Sequence, residues 1–119
     1  MMRAKDMSLE VYLCNVPTDM RKSIDGLAAL VQGVLYKNPF DGKLFVFTNK
    51  RRDKIKILYW ERSGFVVWFK RLEKERFYWP NVTHPEGVTL TVEQLNWLLD
   101  GYNINAMKPH ARLMYSEVA

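Results

Sequence analysis

The segment between Lys50 and Arg76 holds the side chains best suited to chemistry, because it carries ten basic residues and only four acidic ones. This surplus of +6 leaves −1 for the remainder of a chain whose net charge is +5. A local positive surface with aromatic residues beside it is typical of proteins that meet a polyanion, most often nucleic acid. The same charges could instead only keep the surface solvated, and the sequence leaves both interpretations open.

Basic residues within and before this segment are expected to contact phosphates. They are Arg21, Lys22, Lys50, Arg51, Arg52, Lys54, Lys56, Lys70, Arg71 and Arg76. Phosphate contacts need charge rather than fine geometry, so they predict salt-sensitive binding without a sequence preference. Aromatic residues lie between the charges, and each could stack on an unpaired base or, as is commoner, fill the core. They are Tyr59, Trp60, Trp68, Phe69, Phe77, Tyr78 and Trp79.

Residue types used in catalysis are present without a recognisable arrangement. The two histidines, His84 and His110, fall in a Pro-flanked loop and in the C-terminal tail, outside any motif. The lone Cys14 lies in an apolar segment, where a free thiol usually behaves as a small core residue. The glycines never cluster into a phosphate-binding loop. We therefore expect no catalytic residues, no cofactor and no metal, and we predict that the protein is not an enzyme.

A small metal-dependent nuclease is kept as an alternative because of a loose grouping of acids. Asp53, Lys56 and Glu61 resemble the acid-and-lysine arrangement of some nucleases. Such chemistry needs two or three carboxylates that converge on Mg²⁺. The hypothesis therefore requires Asp19, Asp53 and Glu61 to meet in space.

The composition favours one domain. A chain of 119 residues, 48% of them hydrophobic, can bury a real core, so we predict a single domain over residues 1–119 with flexible ends at 1–7 and 106–119. No apolar run approaches the roughly 18 residues of a membrane span, and the charged N-terminus lacks the apolar core of a signal peptide. We expect a cytoplasmic protein without a membrane partner, and the oligomeric state stays open.

Short apolar runs predict an α+β fold in which a small antiparallel β-meander of three to five strands packs against two main helices. The predicted strands lie at residues 8–16, 44–48, 55–60 and 65–70, with 77–79 as a further candidate. Because side chains alternate along a strand, neither face of the 55–60 strand is wholly polar. We expect a helix to cover one face of the sheet and a mixed basic and aromatic surface to remain on the other.

Two helices are predicted from capping residues and apolar spacing. Ser23 can cap the first helix, whose apolar residues fall three and four apart. These are Ile24, Leu27, Leu30, Val31, Val34 and Leu35. Thr91 can cap the second helix, with Gln94 completing a capping box and Gly101 ending the helix. Its buried side should be Val92, Leu95, Leu98 and Leu99.

Three stretches resemble the signatures of a family of insertion-sequence accessory proteins. The first is Thr18-Asp19-Met20-Arg21-Lys22 with Asp25-Gly26-Leu27-Ala28. The second signature runs through the centre of the chain and includes Leu44-Phe45-Val46-Phe47, Arg51-Arg52-Asp53-Lys54-Ile55-Lys56, Trp60, Gly64-Phe65, Lys70-Arg71-Leu72-Glu73 and Arg76-Phe77-Tyr78-Trp79-Pro80. The third signature is Gln94-Leu95 to Leu98-Leu99-Asp100-Gly101. Together they are similar to TnpB, the second-frame protein of the IS sixty-six group of bacterial transposable elements, which is unrelated to the RNA-guided nuclease of that name. Ser23 stands where family members often have glycine, and it should improve the helix cap.

The resemblance implies a helper in transposition that acts beside a separate, larger transposase with the acidic catalytic centre. The family defines no catalytic residue that could be transferred to this chain. The leading hypothesis is a non-catalytic accessory protein that binds DNA, the transposase, or both. The alternative is a pure protein-interaction module that docks on the transposase, with Asp19, Met20, Trp60 and Trp79 as partner contacts and the charge only for solubility.

Overall fold

The computed structural model describes residues 9–80 and 88–106, which contain five strands and two helices. The strands are β1 (Val11–Leu13), β2 (Leu44–Thr48), β3 (Lys54–Glu61), β4 (Gly64–Arg71) and β5 (Val88–Leu90). The helices are α1 (Ile24–Gly33) and α2 (Val92–Leu99), followed by a 3₁₀ turn at Ile104–Ala106. This arrangement confirms the predicted small α+β fold. The expected flexible ends, except Ala106, and both histidines lie outside the described residues.

The strands form one sheet in the order β4-β3-β2-β1-β5. β2, β3 and β4 follow one another through short turns and pair antiparallel, so they form the predicted meander. β1 pairs parallel with β2, because α1 connects the two strands and returns the chain to the same end of the sheet. β5 pairs antiparallel with β1, and no strand was predicted at this position.

Both faces of the sheet are covered, which corrects the expectation of one open basic and aromatic face. α1 buries Leu27 and Val31 on one face, in the same apolar cluster as Phe45 of β2. α2 buries Leu95 on the opposite face, in a cluster that includes Val46 of β2. All five residues of β2 are buried, so this central strand needs apolar cover on both sides.

The two ends of α2 are closed as predicted. The Gln94 N–H donates to Thr91 Oγ1 at 3.1 Å and the Thr91 N–H donates to Gln94 Oε1 at 2.9 Å, so the capping box is complete. Gly101 has a φ of +95°, and the N–H groups of Gly101 and Tyr102 donate to carbonyls in the last turn of the helix, as in a Schellman motif. The buried side consists of Val92, Leu95, Leu98 and Leu99, as expected.

α1 begins without the predicted side-chain cap. Ser23 makes no side-chain cap hydrogen bond, and only the backbone closes the first turn, where the Leu27 N–H donates to the Ser23 carbonyl. The reason is conformational: Ser23 has a ψ of −147°, whereas Thr91 at the start of α2 has the extended ψ of 164° that suits a cap. Serine at this position therefore does not improve the helix start.

Residues 77–79 do not form the candidate strand. Phe77 and Trp79 are buried in the cluster beneath α2, while Tyr78 between them is 53% exposed. This alternation resembles a strand, yet the segment is not part of the described sheet. The Phe77 N–H instead donates to the Arg52 carbonyl in the turn between β2 and β3.

Removal of the α2 cap should destabilise the fold. Thr91→Ala leaves the Gln94 N–H without its acceptor, so we expect the free energy of unfolding to fall by about 1 kcal/mol. Thr91→Ser should keep most of that stability, and Ser23→Ala is the matched control because Ser23 supplies no cap bond. Urea denaturation followed by circular dichroism measures all three, and equal losses in Thr91→Ala and Ser23→Ala would contradict this interpretation.

Candidate nucleic-acid interface

The predicted hairpin tip is a closed loop, residues 49–53, between β2 and β3. Asn49 organises it, because the N–H groups of Asp53 and Lys54 donate to Asn49 Oδ1 and its Nδ2 donates to Asp53 Oδ1 at 2.7 Å. The Arg52 N–H donates to the Asn49 carbonyl, and Arg52 has a φ of +62°. These bonds hold the tip in a defined conformation that leaves its basic side chains exposed.

Two backbone hydrogen bonds attach the chain after β4 to the tip. The Leu72 N–H donates to the Asp53 carbonyl at 2.8 Å, and the Phe77 N–H donates to the Arg52 carbonyl at 2.7 Å. The segment that carries Arg76 is therefore held beside the tip. Basic residues that are distant in the sequence become neighbours in this way.

The loop before α1 reaches the tip from another direction. The N–H of the buried Thr18 donates to the carbonyl of Thr48, the last residue of β2, at 2.8 Å. This bond positions residues 19–21 next to the tip.

Cys14, which precedes the loop, is buried, and burial raises the pKa of its thiol, as expected for a core cysteine.

A cleft of about 450 Å³, which we call the basic cleft, opens between the tip and the segment that follows β4. Its lining residues are Pro17, Lys50, Arg51, Arg52, Arg76, Phe77, Tyr78, Trp79 and Asn103. Four of these residues are cationic and none is acidic. Among residues 9–80 and 88–106, no ion pair involves Lys50, Arg52 or Arg76. The cleft therefore concentrates positive charge that is largely uncompensated.

A second cleft, the mixed cleft, lies against another side of the tip and has a volume of about 530 Å³. Its lining residues are Thr18, Asp19, Met20, Arg21, Asn49, Lys50, Arg51, Lys54 and Phe69. Lys50 and Arg51 line both clefts, so these two residues form a ridge between them. Asp19 is the acid in this lining, and four cations surround it.

Asp19 and Arg21 form a paired unit at the edge of the mixed cleft. The Arg21 guanidinium donates to both carboxylate oxygens, with the shortest contact at 2.7 Å, and the Arg21 N–H donates to Asp19 Oδ1 at 2.9 Å. The side-chain bonds from Arg21, followed by its backbone bond, lower the pKa of Asp19 to about 2. Because the Arg21 side chain is 91% exposed, the pair shapes the loop more than it stabilises the fold.

Two further acids neutralise part of the predicted basic surface. Asp53 lies 3.8 Å from Arg51 and 3.5 Å from Lys54. Its pKa is lowered, first by the hydrogen bond from the tip asparagine and then by the charge of Lys54. Arg71 pairs with Glu73 at 2.9 Å and lines neither cleft.

Three other predicted contact residues lie outside the clefts. Lys56 Nζ donates to the Lys22 carbonyl at 2.8 Å and lies 5.7 Å from the centre of the Phe69 ring, so Lys22 and Lys56 extend the border of the mixed cleft. Lys70 Nζ donates to the Leu99 carbonyl at 2.8 Å. A cation at this position stabilises the C-terminal end of α2, and Lys70 lines neither cleft.

The structure divides the four predicted partner contacts between the two ends of the sheet. Asp19 and Met20 line the mixed cleft, and Trp79 contributes to the basic cleft although it is only 5% exposed. Trp60 lies at the far end of β3, about 20 Å from Lys54 along the strand. No single partner surface contains all four.

Asn49, Tyr78 and Asn103 are among the lining residues that were missing from the predicted contacts. Asn49 had a readable signal, because asparagine at the first position of a turn often bonds to backbone groups just after it. Tyr78 was one of several aromatic candidates, and only its position between two buried neighbours singles it out. Asn103 lines the basic cleft from beyond α2, and no local pattern indicated this placement.

The carboxylates required for a metal-dependent nuclease do not converge. Asp53 precedes β3 and Glu61 ends it, so the two are separated by roughly 25 Å. Within the part of the chain that the structure describes, no three residues among His, Cys, Asp and Glu are placed to hold a metal ion.

None of the helices in residues 9–80 and 88–106 has the length and apolar character of a membrane span.

The fold and the two clefts define a small α+β protein with a basic surface at one end of its sheet. The chain belongs to the family described as IS66 Orf2-like protein, whose profile matches residues 9–109. It is 36% identical over 95 residues to the uncharacterized protein y4jC of Sinorhizobium fredii, which covers 75% of this chain and 81% of the relative. It is also 36% identical over 96 residues to the uncharacterized protein y4hO of the same organism, with coverage of 79% and 81%. No solved structure matches the chain.

The Asp19–Arg21 pair predicts how the mixed cleft responds to pH. Because the pKa of Asp19 is lowered to about 2, the carboxylate fixes the loop fully above its ordinary pKa of 3.8 and this contribution is lost as the pH falls through about 2. Arg21→Ala removes the largest cause, so we expect the Asp19 titration to move toward 3.8. Carboxyl-carbon NMR titration measures this shift.

Glu10, whose pKa is lowered by a hydrogen bond from Lys43, is the internal control and should titrate identically in both proteins. An Asp19 midpoint that is unchanged in Arg21→Ala would contradict the pairing.

Proposed function

We propose that this protein is a non-catalytic accessory protein of insertion-sequence transposition that binds DNA through the basic cleft and the adjoining tip. The family supports the accessory role in insertion-sequence biology. The observation that carries DNA binding is a cleft lined by four cations and no carboxylate. The partner of such a surface has to supply the missing negative charge, and the phosphates of DNA do so at regular spacing.

The distribution of ion pairs supports this assignment. A surface that only has to keep the protein soluble can mix positive and negative side chains. The end of the sheet away from the tip shows such mixing, for example where Lys43 pairs with Glu10 at 2.7 Å. In contrast, Lys50, Arg52 and Arg76 share the basic cleft without an acid in its lining. Such unpaired cations repel one another and are retained at a cost to stability, which a bound polyanion removes.

The geometry also supports contacts to the sugar-phosphate backbone rather than to base edges. The four cations come from a turn and from an irregular segment, and no helix or two-stranded ribbon projects from the described surface to enter a major groove. The tip is nevertheless held by the Asn49 bonds, so the backbone positions that carry its charges are fixed. We therefore expect general affinity for DNA with a strong dependence on salt.

Charge removal in the basic cleft should reduce both the affinity for DNA and its salt dependence. Arg52→Gln removes one uncompensated cation, and we expect the slope of log K against log salt concentration to fall in magnitude by about 1, and by about 2 when Arg76→Gln is added. Fluorescence anisotropy with a labelled duplex that carries the element ends, titrated from about 50 to about 200 mM salt, measures the slope.

Arg62→Gln is a matched control for this experiment. Arg62 is also exposed and also has a positive φ, 53° against 62° for Arg52, but it lies in the β3–β4 turn at the opposite end of the sheet. Arg62→Gln should leave the salt slope unchanged, although it lowers the net charge of the protein as much as Arg52→Gln does. Equal effects of Arg52→Gln and Arg62→Gln, or duplex binding that does not depend on salt, would refute the proposal.

A second candidate function is docking on the transposase of the same element at the opposite end of the sheet. Phe40, Trp60 and Phe65 form a triangle there, with all three ring-centre distances at 5.0 Å, and Phe40 is 54% exposed. In the described residues β4, which contains Phe65, is an edge strand with β3 on one side only. Aromatic side chains beside a free strand edge are typical of protein contacts.

If the transposase docks there, Phe40→Ala should reduce its capture by this protein about tenfold or more, because exposed aromatic anchors dominate such interfaces. Pull-down after nuclease treatment measures protein contact without bridging DNA. Tyr102→Ala, which truncates another exposed aromatic residue, is the control. Capture that disappears with nuclease, or that depends on Arg52 and not on Phe40, would exclude docking at this surface.

A further inference from the structure

Tyr78 occupies a position that the phosphate-binding role of the basic cleft does not use. Its neighbours Phe77 and Trp79 are 3% and 5% exposed, whereas Tyr78 is 53% exposed and lines the cleft. Of the seven aromatic residues that the sequence offers as candidates for base stacking, only Tyr78 and Phe69 are exposed. Burial of its two neighbours fixes the backbone that carries Tyr78, so its ring stays at the surface beside the cations.

We propose that the basic cleft binds an unpaired nucleotide of single-stranded DNA, with the base stacked on Tyr78 and its phosphates held by Arg52 and Arg76. This inference rests on the proposed function and specifies the form of DNA that the cleft prefers. The combination of a backbone-tracking positive groove and an aromatic platform is the arrangement by which proteins bind single strands without reading their sequence.

The size of the cleft favours a single strand over a duplex. A volume of about 450 Å³ lies within the range of about 300–1,000 Å³ that small-molecule sites occupy, so it suits one or two monomer units of a strand. In a duplex each base is stacked between its neighbours and presents only its edge to a protein. An aromatic ring can meet the face of a base only when that base is unstacked.

The platform is already formed before any ligand binds. The Phe77 N–H donates to the Arg52 carbonyl at 2.7 Å, so the residue that precedes Tyr78 is bonded to the tip that supplies the cations. The backbone positions that carry the Tyr78 ring and the Arg52 side chain are thus held close to each other. Such preorganisation reduces the ordering cost of binding.

The test compares the binding of four DNA ligands of one length. They are a single strand, the same strand with abasic sites, a blunt duplex and a duplex with a single-stranded end. Tyr78→Ala should weaken binding of the single strand and of the tailed duplex by about 5- to 150-fold, the effect of losing one base stack. It should leave blunt duplex and abasic strand unchanged and should not alter the salt slope, because no phosphate contact is lost. Tyr78→Phe should bind as the wild type does.

Tyr36→Ala, which truncates a tyrosine that is 71% exposed and lines neither cleft, is the control for loss of an exposed aromatic residue. The inference is overturned if the wild type binds abasic and normal strands equally, or if Tyr78→Ala weakens all four ligands alike. Salt-dependent duplex binding that needs Arg52 would then still support the proposed function. Failure of the wild type to bind any of the four at about 50 mM salt would reject both.

Discussion

The complete burial of β2 is the constraint on which the rest of this fold depends. Its five residues all lie in the core, so neither face of the sheet can remain open to solvent, and one helix must cover each side. The central part of both faces is then unavailable for binding. Exposed groups that could bind a partner are concentrated at the ends of the strands and at the free edge of β4. The basic cleft, the mixed cleft and the aromatic triangle of Phe40, Trp60 and Phe65 occur there.

At the tip end, the surface charge depends on which cations are neutralised. Asp19 forms an ion pair with Arg21, Asp53 lies within ion-pair distance of both Arg51 and Lys54, and Glu73 forms an ion pair with Arg71. These exposed pairs contribute little to stability. Their consequence is electrostatic, because they neutralise cations around the tip but leave Lys50, Arg52 and Arg76 of the basic cleft without an ion pair among the described residues. A surplus that is spread over a long stretch of sequence thereby becomes a local field at one cleft.

The two ends of the sheet have different chemical characters, and this separation suits an accessory protein with two partners. The tip end offers fixed cations and an exposed tyrosine, and the opposite end offers clustered aromatic rings beside an unpaired strand edge. The rigid β2–β3–β4 meander connects them. Because the two surfaces lie at opposite ends of the sheet, the DNA binding and the transposase docking that we propose would not obstruct each other.

The sequence by itself determined what depends on near neighbours in the chain. The capping box of Thr91, the apolar stripe of α2 and the three strands of the meander are local patterns, and the structure confirmed them. The family signatures are local patterns as well, and the match to the family profile confirmed the family. The Ser23 cap failed because a capping bond depends on the backbone angle as well as the residue type. Cover on both faces of the sheet, the parallel pairing of β1 and the strand β5 depend on where distant segments pack, which a local pattern does not encode.

The candidate site shows the same division. Composition indicated the basic residues, since charge is a property of each side chain. Only the tertiary structure decided that Arg52 and Arg76 share a cleft, that Lys70 instead bonds to the end of α2, and that Tyr78 is exposed. The physical reason is that two backbone hydrogen bonds close the long loop between the tip and the chain after β4. Basic residues that are distant in the sequence come to line one cleft through those long-range contacts.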